Sequence, residues 1–110
     1  MTETLEDEKF VVDLDGFEGP LDLLLELARS HKLDLAQISI LELAEQFLLY
    51  LKNAQKLELR IAAEYLVMAA WLAYLKSQLL LPVLERDEPD AEAIAEELAA
   101  RLRRLDALRR

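Results

Sequence analysis

The feature that most constrains this chain is the stretch AAEYLVMAAWLAYLKSQLLLP at residues 62–82. From Tyr65 to Leu75 it runs eleven residues without a charge, so a helix built from it is apolar on nearly every side. A helix of that kind has to be covered all round. A chain of 110 residues holds one modest core and little spare material to sheath a central helix. A bilayer is not the cover. Lys76, Ser77 and Gln78 interrupt the run and Pro82 ends it, leaving it well short of the roughly 20 apolar residues a membrane span needs.

The rest of the composition points the same way. The chain is 54% hydrophobic with two Gly and three Pro, it is rich in Leu, Ala and Glu, and β-branched residues are few. That balance favours helices over sheets. The expected fold is mainly α, a small bundle of about four helices with one short N-terminal β-strand. The absence of cysteine excludes disulfides and thiolate metal sites. MTETLEDEKF at the N-terminus is acidic where a secretory signal is basic and then apolar. The cytoplasm is therefore the expected location.

Formal net charge is −9, which repels nucleic acid and anionic membrane surfaces, so direct binding to either is not expected. The charge is uneven. Residues 1–50 carry 3 basic and 12 acidic side chains, residues 51–86 carry 5 and 3, and residues 87–110 carry 5 and 7. The only net-positive segment is the one around the apolar stretch.

Along the chain, residues 1–9 read as a disordered acidic tail. Phe10, Val11, Val12, Asp13 and Leu14 form the only β-prone run, and the turn-rich DGFEGP follows at residues 15–20. A helical domain is expected to extend from residue 10 to residue 82. Its first helix begins at Pro20, suited to the first helical position, with Asp22 at the positive end of the dipole, and runs to about His31. Residues 33–37 read as a turn or a single helical turn. Ser39 and Glu42 make the S-x-x-E pattern of a capping box, and Ile38 can staple to Leu43, so a second helix starts there and runs to about Asn53. Its inward residues are Ile40, Leu43, Phe47 and Leu51. A third helix covers roughly 59–81 and ends at Pro82.

Residues 83–90 form a polar linker, and Asp90 is a candidate N-cap for a fourth helix over 91–108. Its stripe is Ile94, Leu98, Leu102 (or Arg101 beside it), Leu105 and Leu108, close to a heptad. Acids lie in its first half and arginines in its second, matching the helix dipole. Because LRRLDALRR stops without a C-cap, residues 91–110 are expected to continue in a longer protein.

At about 100° per residue, the third helix divides into two stripes. Ile61, Met68, Leu72, Leu75 and Leu79 form one, flanked by Ala62, Ala69 and Ala73, whose small size lets another helix approach. That is the expected core face. On the far side lie Ala63, Val67, Ala70, Tyr74 and Leu81, bordered by Trp71 and Gln78. Apolar residues at helical spacing are more often core than anything else, and the first stripe is read that way. The second is surplus, because the fourth helix stands beyond a polar linker. A contiguous exposed apolar patch marks an interaction site, and a partner helix is its natural cover. Trp71 and Tyr74 suit an interface anchor, although aromatics also serve at the edge of ordinary cores. Leu23 and Leu27 of the first helix are further candidates for the docking face.

Catalytic chemistry is thin. The single histidine, His31, stands at the end of the first helix, where interaction with the dipole explains it better than catalysis or ligation. Glycine-rich phosphate loops, G-x-S-x-G and H-E-x-x-H are absent. Gly16 and Gly19 read as turn residues. Glu42 and Glu45, and likewise Glu92, Glu96 and Glu97, belong to solvated faces, and no E-x-x-H element exists to build a carboxylate metal site. No enzyme activity, metal, cofactor or small-molecule substrate is expected.

FEGPLDLLLELARSHKLDLAQISILELAEQFLLYL at residues 17–51 and LELRIAAEYLVMAAWLAYLKSQLLLP at residues 57–82 together resemble the N-terminal domain of the ScpA family, the bacterial kleisins of the SMC–ScpAB condensin complex. The most specific parts are FEGPLDLLL at residues 17–25, EYLVMAA at residues 64–70 and LKSQLLLP at residues 75–82, in the family's order. The resemblance implies a module that docks on the SMC coiled-coil neck next to the ATPase head by adding helices to it. It implies one attachment of the SMC–kleisin ring in chromosome condensation and segregation, at the nucleoid. The family's central segment, which binds ScpB, and its C-terminal winged-helix domain have no counterpart in this sequence. Trp71 is bulkier than the family pattern, and Gln78 stands where an arginine is expected, both beside the docking face. The alternative is a self-associating structural bundle in which the third helix packs on its own copy.

Overall fold

A computed structural model describes residues 16–57 and 60–109. Four helices carry the fold: α1 (Pro20–Ser30), α2 (Ile40–Lys56), α3 (Ala63–Leu80) and α4 (Ala91–Leu108). Single 3-10 turns at Leu35–Gln37 and Val83–Glu85 join α1 to α2 and α3 to α4. There is no strand among the described residues. The strand expected over residues 10–14 and the tail expected over residues 1–9 lie outside them.

Local chemistry sets the helix ends. Pro20 opens α1 at a position whose N–H has no intrahelical partner anyway, and the Asp22 carboxylate accepts from the Glu18 backbone N–H. At the other end, Leu33 N–H donates to Ala28 C=O and Lys32 N–H to Arg29 C=O. This pattern requires a left-handed residue just past the helix, here Lys32 at φ 56°. His31 Nδ1 lies 2.9 Å from Leu27 C=O, so the lone histidine closes a helix end. The side chain of Asp34 accepts from Ala36 N–H and fixes the 3-10 turn. Ser39 Oγ accepts from Glu42 N–H at the start of α2, the N-cap bond that its S-x-x-E pattern predicts.

α3 starts later than the expected residue 59. Ala62 has extended backbone and no capping side chain, and the first helical carbonyl is its own, accepting from Tyr65 and Leu66 N–H. Without a Ser, Thr, Asp or Asn to stop the orphan N–H groups, the sequence gives no sharp start. Asp90 occupies the N-cap position of α4 but makes no side-chain capping bond.

Each helix touches the other three. The shared core takes Leu23, Leu24 and Leu25 from α1, Leu43 and Phe47 from α2, Leu72 and Leu75 from α3, and Leu98 and Leu102 from α4. Ala28, Ala44, Ala91 and Ala99 are also buried, letting backbones approach. All four expected inward residues of α2 are buried. On α4 the stripe shifts. Leu102 rather than Arg101 faces in, Leu108 is exposed, and Asp106 is buried instead. Its carboxylate receives the Arg29 guanidinium at 2.7 Å, while Arg103 donates to Leu35 C=O and Arg109 pairs with Glu18 and Asp22. A buried carboxylate held by a charge-assisted bond is consistent with the desolvation cost of the ion. These contacts tie α4 to α1 at its C-terminal end.

Candidate docking surface

α3 turns only part of its circumference to the core. Tyr65, Leu72 and Leu75 are buried, with Met68, Ala69 and Leu79 half-buried beside them. The opposite half is open. Ala63, Val67, Ala70, Tyr74 and Leu81 lie within about 40° of one line along the helix, and all are exposed. Val67 is 69% exposed, Tyr74 42% and Trp71 38%. Leu66 and Leu80 widen the patch on the side away from Trp71. α3 has almost no polar face to offer in exchange, and its exposed half from residue 65 to residue 80 carries no charged side chain. Val67, Tyr74 and their neighbours thus stay wet at a cost of roughly 1.5–3 kcal/mol for each large side chain, relative to a covered one.

The C-terminal end of this face is built by polar contacts with the segment that follows the helix. Gln78, expected at the border of the face, is turned inward. It is 4% exposed, and its Oε1 accepts from Glu88 N–H at 3.1 Å. Arginine, expected at this position from the resemblance, has no acceptor and cannot make that bond. The neighbouring Arg86 turns its buried side chain back over the end of α3, donating to Leu81 C=O at 3.0 Å and Leu79 C=O at 3.5 Å, and pairs with Glu92 at 3.3 Å. Residues 83–90 are therefore pinned to α3. The result is an acidic neighbourhood at Tyr74, whose phenol is raised above its ordinary range by partial desolvation and by the carboxylates of Glu88 and Asp87.

Leu23 and Leu27, the further candidates on α1, lie apart from the exposed half of α3. They are 1% and 6% exposed and pack in the shared core, because α1 is surrounded by the other three helices and has no second free side. Ala63, Val67, Ala70, Trp71, Tyr74 and Leu81 are brought together on one surface. A further element escaped the sequence reading: where α4 passes α3 near the start of α1, an open apolar groove of about 670 Å³ remains. Val67, Met68 and Trp71 form one wall and Ala93, Ile94 and Leu98 the other. Only the helical phase of Ala93 and Ile94, one residue apart at the edge of the α4 stripe, hints at it in sequence.

Among the described residues no group of three His, Asp or Glu side chains is placed to hold a metal ion, and no helix is long and apolar enough to cross a membrane.

Comparison with known proteins adds identity to this geometry. The family described as "Segregation and condensation protein ScpA" matches residues 27–109. "Segregation and condensation protein A" of Bacillus subtilis (strain 168) is 47% identical over 90 residues, 82% of this chain and 36% of that protein. The protein of the same name from Streptococcus equi subsp. equi (strain 4047) is 42% identical over 91 residues, 83% of this chain and 39% of that protein. The chain thus spans well under half the length of these relatives. A family match across three of the four helices and the last turn of α1, with relatives at this identity, leaves one assignment: the chain belongs to the ScpA family of segregation and condensation proteins.

Proposed function

We propose that this chain is the SMC-binding module of a kleisin, acting without catalysis in chromosome condensation and segregation in the cytoplasm, at the nucleoid. On this reading α3 docks on the SMC coiled-coil neck next to the ATPase head and forms one attachment of the SMC–kleisin ring. Contact with ScpB falls to segments of the longer relatives that this chain does not span. The observation that carries the reading is the exposed apolar half of α3 around Val67 and Tyr74 in a member of this family. A helix partner covers such a face with the least new polar desolvation.

The test is the double variant Val67→Glu with Tyr74→Glu. Both side chains are exposed, so the helical circular dichroism should be unchanged and binding to an SMC head–neck protein lost. Normal binding by a folded variant would remove α3 from the interface. The same face also suits self-association, and sedimentation separates the two. A concentration-independent monomer supports docking on another protein. A tight dimer that the double variant abolishes supports a self-associating bundle instead.

A further inference from the structure

The exposed half of α3 does not meet the same surroundings on its two sides. Past Leu66 and Ala73 the helix turns to α2, where Lys76 stands 3.9 Å from Glu45, whereas past Val67 and Trp71 lies the groove that α4 closes. A groove between two helices is the shape that receives a third helix, because its ridges then contact two neighbours and bury more area than on a single convex helix. The floor is apolar and Ala93, exposed on the α4 wall, leaves room for a large side chain from outside.

The charges bordering this surface favour one sign. Glu64 stands at the groove beside the Glu97–Arg101 pair, and Asp87 and Glu88 stand beside Tyr74 at the far end. The cations there are engaged: Arg101, itself on the groove wall, and Arg104 lie 3.7 and 3.8 Å from Glu97, and Arg86 is turned inward onto carbonyls and Glu92. An apolar seam framed by carboxylates is complementary to an apolar helix flanked by basic side chains.

We infer that α4 supplies the second wall of the docking site, and that the partner is a helix seated in the α3–α4 groove, apolar along its seam, with Lys or Arg directed at Glu64 and Asp87. This rests on the docking reading above but assigns α4 a binding role that α3 alone does not require. The partner helix runs from the Glu64 end of α3 past Val67 and Trp71 towards Tyr74.

Calorimetric titration of the 110-residue chain with an SMC head–neck protein tests this. Ala93→Trp fills the groove from an exposed position and should weaken binding about tenfold or more. Leu49→Trp, on the exposed side of α2, should bind within about twofold of the parent. If Ala93→Trp loses helical signal, Ala93→Lys replaces it and should weaken binding similarly through like-charge repulsion. Parental affinity in a folded Ala93 variant, with binding lost in the Val67→Glu, Tyr74→Glu variant, overturns the α4 wall and leaves docking on α3 standing. Parental affinity in both overturns the docking reading itself. The basic flanks have their own readout: Asp87→Lys should weaken binding several-fold at low salt and flatten its salt dependence. An unchanged salt dependence in that variant contradicts them.

Discussion

α2 and α3 are almost the same length, 17 and 18 residues, and pack against each other, yet their sequences solve different problems. α2 is accounted for by its own chain. Ser39 caps it, its inward stripe from Ile40 to Ala54 is buried, and most of its polar side chains face water. α3 has no capping side chain and is as apolar on its exposed half as on its buried one. Folding this domain explains every large side chain on the inner half of α3 and none on the outer. A helix whose apolar content exceeds what its own fold buries retains that excess for something outside the fold.

The contrast can be broken at several points. Phe47→Ala empties a fully buried position on α2, and chemical denaturation should report a loss of about 3–5 kcal/mol. A much smaller loss would mean that α2 is not the core helix its pattern indicates. Gln78→Leu keeps the bulk but leaves Glu88 N–H without its acceptor, which should cost about 1–3 kcal/mol and loosen residues 83–90 in hydrogen exchange. Protection there equal to the parent's would show that Gln78 does not pin the linker. Ser39→Ala removes the α2 cap and should cost about 1 kcal/mol. Val67→Ala, on the outer half of α3, should change stability by less than about 0.5 kcal/mol. A loss comparable to that of Phe47→Ala would place Val67 in the core and erase the difference between the two halves.

Much of this was legible in the sequence where a local rule applied. The S-x-x-E pattern located the start of α2 because a capping bond spans three residues, and the 100° periodicity separated the two stripes of α3. His31 at the end of α1 followed from the helix dipole. What escaped was built from contacts between distant positions. Gln78 reads as a surface residue until Glu88, ten residues on, is folded over it. Asp106 looks like a break in the α4 stripe until Arg29 arrives from α1, 77 residues away. Leu23 and Leu27 are candidates in sequence because a wheel of α1 shows apolar residues on several sides, and only the packed bundle shows that both are spent on the core. The α3–α4 groove is a property of how two helices cross, of which the sequence carries only the phase of Ala93 and Ile94 on α4.

The chain has no cysteine, so a single introduced thiol can report on one face at a time. The most direct measurement is disulfide or bismaleimide crosslinking of Val67→Cys to cysteines placed along an SMC neck, with Leu49→Cys on the exposed side of α2 as the matched probe. The account predicts a crosslink from Val67→Cys at one restricted register of the neck, and none from Leu49→Cys. Equal crosslinking from the two helices, or crosslinking only from α2, would contradict it.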